Sequence, residues 1–281
     1  MPADVMLLVL FGAALHAGWN ALVKAGADKL LDMVAVAVGS ALLCAACVPF
    51  LPIPARESWP CIAASVVIHV GYFALVAAAY RAGEMSVAYP LMRGTAPLIV
   101  AGLSGMLLGE ALSPGGWAGV ALISGGVLAF AVPRRGGAAP GGGRALALAL
   151  GNAAVIAGYT LVDGLGARLS GHAAAYTLWL LLLAAPPLLV YARLRRPEGL
   201  GVKLMQRWRV AALGGICTTA SYTLALWAMT RAPIATVAAL RETSILFAML
   251  LASVALKERF GLKRHAAAAA IACGAAMLRL A

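Results

Sequence analysis

The chain has 281 residues, of which 63% are hydrophobic and only 11% are charged. A soluble domain carries about 25% charged residues, so the composition excludes a soluble globular protein and favours long apolar spans. The net charge of +12 would suit nucleic acid, but the basic residues stand at the ends of apolar runs. That placement is typical of membrane proteins, so the expected partners are membrane lipid and a small-molecule substrate, not nucleic acid.

Ten apolar segments follow one another along the chain. About 20 apolar residues are needed to cross about 30 Å of hydrocarbon, and each segment ends near a charge, a proline or a glycine cluster. The predicted spans cover residues 3–23, 31–53, 59–80, 85–108, 114–132, 145–165, 172–192, 208–230, 233–256 and 262–280. The sequence therefore predicts an all-α, polytopic membrane protein with ten transmembrane helices.

The later part of the chain repeats the earlier part. Residues 72–82 read YFALVAAAYRA, and residues 222–232 read YTLALWAMTRA. Farther along, Arg93 corresponds to Arg241. Because five spans precede the joint between the halves, the second half must start from the opposite side of the membrane. We therefore expect two inverted five-helix repeats, with the functional site where they meet.

The expected domains are a first repeat over residues 1–132 and a second repeat over residues 145–281. Residues 133–144 form the linker, because they are rich in glycine and proline. Most of the 22 Lys and Arg residues lie in joints that follow odd-numbered spans. The positive-inside rule then places those joints in the cytoplasm and both termini outside.

Polar side chains inside spans are costly in lipid, so each one needs a partner or a role. In the first span, His16, Trp19 and Asn20 lie on one helical face, because their spacing is i, i+3 and i+4. In the third span, His69 and Tyr72 are three positions apart. These faces predict side chains that line an interior site.

The fourth span places Arg93 between Pro90 and Pro97. Arg93 lies about 12 Å from the nearer end of the span at 1.5 Å per residue, too deep for exposure to lipid. Prolines free backbone carbonyls and bend or break a helix. Such backbone is tolerated only where it is buried or lines a cavity, so both prolines, together with Pro233, are predicted hinges.

Polar residues recur at related places in the second half. They are, in chain order, Tyr159, Asp163, Tyr222, Trp227, Arg241 and Glu242. Together with the first-half residues they predict one substrate site, and no metal or cofactor is expected. Glu242 and Asp163 are the acids expected near Arg241. Simpler roles stay open: arginines that anchor bent helices, tyrosines that pack, and His16 and Asn20 as an interhelical hydrogen-bond pair.

Small residues and terminal acids predict structural contacts. The glycines of the fifth span and the alanine-rich tenth span suit close helix packing, either as an outer support or as a subunit contact. Monomer and homodimer both stay open. Glu110 and Glu258 stand at span ends and are expected to be caps or ion pairs.

The duplicated ten-span plan, with Gly109-Glu110 matching Lys257-Glu258 before a glycine-rich span, resembles the EamA family of the drug/metabolite transporter superfamily. Size and plan are similar to bacterial amino-acid exporters of the YddG type, and the segment 16–20 also resembles relatives linked to phosphonate use. The resemblance implies an exporter of small metabolites in the cell inner membrane. It further implies alternating access through a central cavity lined by spans one, three, four, six, eight and nine.

The leading hypothesis is export of amino acids, including aromatic or hydrophobic ones. Arg93 or Arg241 suits a carboxylate, Asp163 or Glu242 suits an ammonium group, and the aromatic residues suit an apolar side chain. The alternative is a proton-coupled antiporter for cationic drugs, with Asp163 as the acid. The shorter relatives carry a coupling glutamate in their first helix, where this chain has none.

A third class is an intramembrane enzyme that uses His16 and His69 for acid–base chemistry. No paired carboxylates with metal-ligand spacing and no Ser–His–Asp set can be placed in the sequence. We therefore expect a transporter and not an enzyme. Substrate identity, direction of flux and coupling ion stay open at this stage.

Overall fold

An apolar chain in lipid must satisfy its backbone polar groups within each segment, which a helix does. The computed structural model describes residues 1–131, 142–195, 198–256 and 261–281, and all regular structure in those ranges is helical. The α-helices are α1 Ala3–Ala25, α2 Lys29–Cys47, α3 Trp59–Ala82, α4 Met85–Leu108, α5 Pro114–Ala129, α6 Gly142–Leu169, α7 Ala173–Arg195, α8 Leu200–Gln206, α9 Trp208–Met229, α10 Ile234–Arg241, α11 Ser244–Leu256 and α12 Leu262–Leu280. Short 3-10 segments lie at Val48–Phe50 and Arg56–Ser58.

Among the described residues, eight helical segments are long and apolar enough to cross a membrane. They are α1, α2 with its 3-10 extension, α3, α4, α6, α7, α9, and α10 taken together with α11. α5 is shorter, with 16 residues, and α12 carries Lys263 and Arg264 in its first turn and Arg279 near its end. The predicted all-helical, polytopic membrane protein is confirmed.

The predicted span bounds agree best where clear stop signals flank the helix. The fourth and tenth predicted spans coincide with α4 and α12. α2 ends at Cys47, well before the predicted end at residue 53, since Pro49 and Pro52 cannot donate to a helical ladder. Residues 133–141 of the predicted linker, and Glu258 with its neighbours, lie outside the described residues, whereas residues 142–144 belong to α6.

The helix break expected in the fourth span lies in the ninth span instead. α4 continues without interruption through Pro90 and Pro97. It packs against α5 and α6, and prolines are tolerated in spans that neighbouring helices enclose. The ninth span is divided into α10 and α11 at Glu242 and Thr243, where the sequence has neither proline nor glycine.

The small residues of α5 and α12 pack these two helices against each other. A methyl group added at Gly126 would lie 2.6 Å from Ile271 Cγ1 and 2.8 Å from the Ala267 carbonyl oxygen. A methyl group at Gly274 would lie 2.8 Å from the Gly119 carbonyl oxygen. The backbones therefore approach closely, as small residues at helix contacts permit, and the stripe serves an intramolecular contact.

The helices that carry the predicted site residues surround one interior region. α6 contacts α3 and α4, α1 contacts α9, α10 and α11, and α10 also contacts α4 and α6. α2 and α7 pack against each other and α2 packs on α9, while α5 packs on α12 and on α4. The polar faces of α1, α3, α4, α6, α9 and α10 thus meet between the two parts of the chain.

Candidate functional site

A buried ion pair joins α4 to the break in the ninth span. The Arg93 guanidinium donates from Nε to Glu242 Oε2 at 2.9 Å, and its Nη2 lies 2.8 Å from Oε1. Arg93 is 9% exposed and Glu242 is 4% exposed. This fork geometry gives each carboxylate oxygen one donor, which a guanidinium does better than an ammonium group. Glu242 was expected beside Arg241, and its observed partner is Arg93.

The backbone around Glu242 is locally tightened. The amides of Glu242 and Thr243 bond the carbonyls of Ala239 and Leu240, three residues back, and the Thr243 hydroxyl also donates to Leu240 at 2.6 Å. In an α-helix the Glu242 amide would bond the Ala238 carbonyl. Discontinuous helices of this kind build substrate and ion sites in transporters, because half-helix ends offer free dipoles.

Arg241 is held by an aromatic ring. Its guanidinium carbon lies 5.1 Å from the centre of the Tyr222 ring, within the range of a cation–π contact. Among the described residues, no carboxylate lies within ion-pair distance of Arg241. Arg241 is partly exposed, whereas Arg93 is paired with Glu242.

Asp163 is fully buried on α6 and each of its oxygens has a tyrosine donor. The Tyr176 hydroxyl donates to Oδ1 at 3.0 Å, and the Tyr222 hydroxyl donates to Oδ2 in a short hydrogen bond. Asp163 was expected near Arg241, and the two residues are connected through Tyr222 and are not an ion pair. Tyr176 was missed by sequence analysis, because nothing in its own span marks it as polar-facing.

An aromatic group lines the junction of α3 and α6. The His69 ring stacks on the Tyr159 ring with centroids 4.5 Å apart, and Tyr72 meets Tyr159 edge to face at 5.9 Å. His69 Nδ1 lies 2.8 Å from the Ser65 carbonyl oxygen. Since a carbonyl can only accept, Nδ1 carries the hydrogen and Nε2 is the free nitrogen of the neutral ring.

The first-span face forms its contacts within its own helix. Trp19 Nε1 donates to His16 Nδ1 at 3.3 Å, and Asn20 Nδ2 donates to the His16 carbonyl at 2.8 Å. The Asn20 amide thus bonds the backbone of its own helix, where an interhelical hydrogen bond was expected. The charges of Arg93 and Arg241 both act electrostatically on His16. Helix α1 therefore borders the charged centre.

A small pocket lies between α4, α6 and α10. Its polar members are Arg93, Tyr159, Thr160, Arg241 and Glu242. It has room for only about one water molecule. At this place the polar side chains of α4, α6 and α10 lie close together, and the open cavity lined by six spans stays a prediction.

Two predicted residues lie away from this centre. The Trp227 ring is covered by the Arg231 guanidinium at 5.6 Å, and Arg231 is exposed beyond the end of α9. Pro233 stands immediately before α10 as its N-cap. Pro97 lines the pocket, whereas Pro90 is buried within α4.

A charged contact closes the bundle at the end of α6. Arg168 Nη2 lies 2.5 Å from Glu110 Oε1, and Arg168 also donates to the carbonyls of Met229 and Ala232 at 2.7 and 3.1 Å. The Ile234 amide donates to Glu110 Oε2 at 2.9 Å. The expected role of Glu110 as an ion pair and cap is confirmed. Arg168 was missed as its partner, because sequence spacing does not relate the two joints.

A second charged contact was also missed. Asp32 is fully buried, and its Oδ1 lies 2.5 Å from Arg207 Nη1. Gly26 lies directly against this carboxylate, because an added methyl group there would overlap Asp32 Oδ2 at 1.6 Å. The contact joins the start of α2 to the joint before α9.

These features define the class of the protein. The chain is an integral membrane protein of packed helices, with a buried ion pair and a free arginine at a helix break. Residues 143–280 match the EamA-like transporter family. This part of the chain is therefore an EamA-like transporter domain of the drug/metabolite transporter superfamily, which confirms the resemblance for these residues.

The fold also has a counterpart among solved structures. A crystal structure described only as that of a protein is similar with a TM-score of 0.75 and 22% identity, and the match covers 98% of this chain and 95% of that one. At that identity the likeness shows a shared fold. A search of curated proteins finds no significant match.

Proposed function

We propose that the protein is a carrier that exports small metabolites, amino acids first among them, by alternating access. One observation carries the proposal. Arg241 lines the central pocket, and among the described residues it has no carboxylate within ion-pair distance. A partly exposed guanidinium that lines the pocket of an EamA-like transporter domain suits a substrate carboxylate.

The pattern of helix contacts supports two inverted repeats over residues 1–132 and 145–281, joined by a linker at residues 133–144. If α1 to α5 correspond to α6, α7, α9, α10 with α11, and α12, the main contacts of α1 and α6 are equivalent. α3 with α6 corresponds to α9 with α1, and α4 with α6 corresponds to α10 and α11 with α1. When the two halves are exchanged, the contact between α2 and α7 maps onto itself, and so does the contact between α5 and α12. A two-fold axis in the membrane plane has this property.

Under this scheme α5 and α12 are two further spans, which makes ten. The basic joints then lie in the cytoplasm and both termini lie outside the cell inner membrane. The plan is that of bacterial amino-acid exporters of the YddG type. A carrier of this kind moves its substrate unchanged and is not an enzyme.

Each part of an amino acid has a suitable group in the site. Arg241 meets the carboxylate, and Glu242 meets the ammonium group, since both residues line the pocket. The Tyr159 ring, already stacked on His69, meets an apolar or aromatic side chain. Asp163 is less suited to direct contact, because it is fully buried and is not among the residues that line the pocket.

The closed pocket requires movement before a substrate can be admitted. Room for about one water molecule is far less than an amino acid needs, so α4 and α10 must separate during transport. Pro97 and the interruption at Glu242 lie at that boundary. Pro90 lies within α4 and Pro233 directly precedes α10, and both are proposed hinges for the movement.

The test is transport by purified protein in liposomes. Uptake of L-phenylalanine and L-leucine is measured down a gradient, beside L-phenylalaninamide, which lacks the carboxylate. Arg241→Ala is expected to weaken amino-acid transport about 10- to 100-fold, the effect of losing a hydrogen bond to a charged group. Transport of the amide is expected to change little.

The matched control is Arg231→Ala, because Arg231 is exposed and contacts only the outlying Trp227 among the described residues. The absence of amino-acid transport by folded parent protein would refute the proposal. Transport of cationic drugs that depends on a pH gradient, and that Asp163→Asn abolishes, would support the antiporter hypothesis instead.

A further inference from the structure

Tyr222 is already occupied at both its ring and its hydroxyl. The Arg241 guanidinium lies over the ring at 5.1 Å, and the hydroxyl donates to Asp163 Oδ2. The side chain is 9% exposed, and it packs with the main hydrophobic core. These contacts leave the ring little surface on which a substrate can stack.

The carboxylate of Asp163, which accepts the hydrogen bond from Tyr222, is also held by a second tyrosine. Tyr176 donates to Asp163 Oδ1 at 3.0 Å and is fully buried. Gly166 makes room for it, because a methyl group added there would lie 2.5 Å from the Tyr176 ring. Helices α7, α6, α9 and α10 thus contribute Tyr176, Asp163, Tyr222 and Arg241, in that order, to one continuous chain of contacts.

Along this chain of contacts, the hydrogen bond to Asp163 polarises Tyr222 in the direction that favours Arg241. A phenol that donates to a carboxylate gains electron density in its ring, because hydrogen bonds in a medium of low dielectric polarise one another. A ring richer in electrons attracts a guanidinium more strongly through its face. Asp163 therefore favours the placement of Arg241 without touching it.

We propose that Tyr222 is a positioning residue, which holds Arg241 toward the pocket with the support of Asp163 and Tyr176. This inference rests on the proposed role of Arg241 in binding a substrate carboxylate. It replaces direct substrate contact by Tyr222 and Asp163 with an indirect role through Arg241. Selectivity for carboxylates then depends on two residues that the substrate does not meet.

The experiment compares Tyr222→Phe, Arg241→Ala and the double variant in liposomes. Tyr222→Phe keeps the ring but loses the bond to Asp163. It is expected to raise the KM for L-phenylalanine about three- to tenfold, with the maximal rate nearly unchanged. L-phenylalaninamide is expected to be unaffected, and Tyr222→Phe is expected to add nothing in the Arg241→Ala background. Tyr191→Phe is the control, because Tyr191 carries a similar contact with Arg195 at the exposed end of α7.

An equal effect on the amide, or an undiminished effect of Tyr222→Phe in the Arg241→Ala background, would overturn the positioning role. The thermal unfolding of the same variants in detergent provides a test that needs no transport. Coupled residues are expected to give shifts in Tm that are less than additive, and additive shifts would overturn the inference. If Arg241→Ala leaves carboxylate transport intact while the Tm shifts are coupled, the proposed role of Arg241 in binding carboxylates fails and the positioning contact stands.

Discussion

Arg93 and Glu242 are 149 positions apart in the sequence and form a two-point ion pair inside the helix bundle. One comes from α4 and the other from the break after α10. The contact therefore fastens the earlier part of the chain to the later part, at the place where a substrate is proposed to bind.

Glu242→Gln is expected to destabilise the protein by about 3–5 kcal/mol, the cost of leaving a buried charge without its partner. The double variant Arg93→Met with Glu242→Met is expected to recover most of that loss, because no charge then stays buried. Thermal unfolding in detergent measures both, and Glu57→Gln, an exposed position, is the control. A single variant as stable as the double variant would contradict the prediction.

Gly126→Ala is expected to destabilise the protein by about 1–3 kcal/mol, the usual cost of overpacking. The new methyl group would lie 2.6 Å from Ile271 Cγ1 and push α5 away from α12. Gly125→Ala is a close control, because nothing lies within 4 Å of its added methyl group. Unfolding temperatures of the two variants should differ clearly, and equal temperatures would count against close packing of α5 on α12.

Glu110→Ala is expected to lower stability by about 1–3 kcal/mol, because Arg168 loses its carboxylate partner and the Ile234 amide loses its acceptor. Arg168→Ala is expected to act on the same contact, so the double variant should be little worse than either single one. Denaturation of the three variants measures this coupling. Strictly additive losses would show that the contacts are independent.

Arg207→Gln is expected to be far more harmful than Arg209→Gln, although the residues are two positions apart. Arg207 pairs with the fully buried Asp32, whereas Arg209 is exposed and lies over the Trp208 ring. Loss of the partner of a buried carboxylate costs about 3–5 kcal/mol. The expected signature is a lower unfolding temperature that Asp32→Asn partly restores in the Arg207→Gln background.

Sequence patterns predicted the helices well, because apolar length and flanking charges alone decide where a segment can lie in lipid. They also predicted that Arg93, Arg241 and Glu242 belong to one centre. They did not predict which acid meets which arginine, since that depends on the rotation of each helix. Neighbours such as Arg241 and Glu242 point in different directions on a helix.

The break in the ninth span had no sequence signal, because no proline or glycine marks Glu242 and Thr243. Conversely, Pro90 and Pro97 are strong local signals, and the surrounding helices override them. Tyr176 was missed for a similar reason. A tyrosine in an apolar span is ambiguous until its neighbour Asp163 is in place.

The bidentate contact of Arg93 also bears on how the chain is made. Synthesis proceeds at about 5–20 residues per second, and Glu242 follows Arg93 by 149 positions. The guanidinium is thus produced about 7–30 s before its counter-charge exists. During that interval the newly synthesised fourth span must stay at the insertion machinery or at the membrane surface. Folding of the bundle is therefore completed late and cooperatively, after the ninth span has been made.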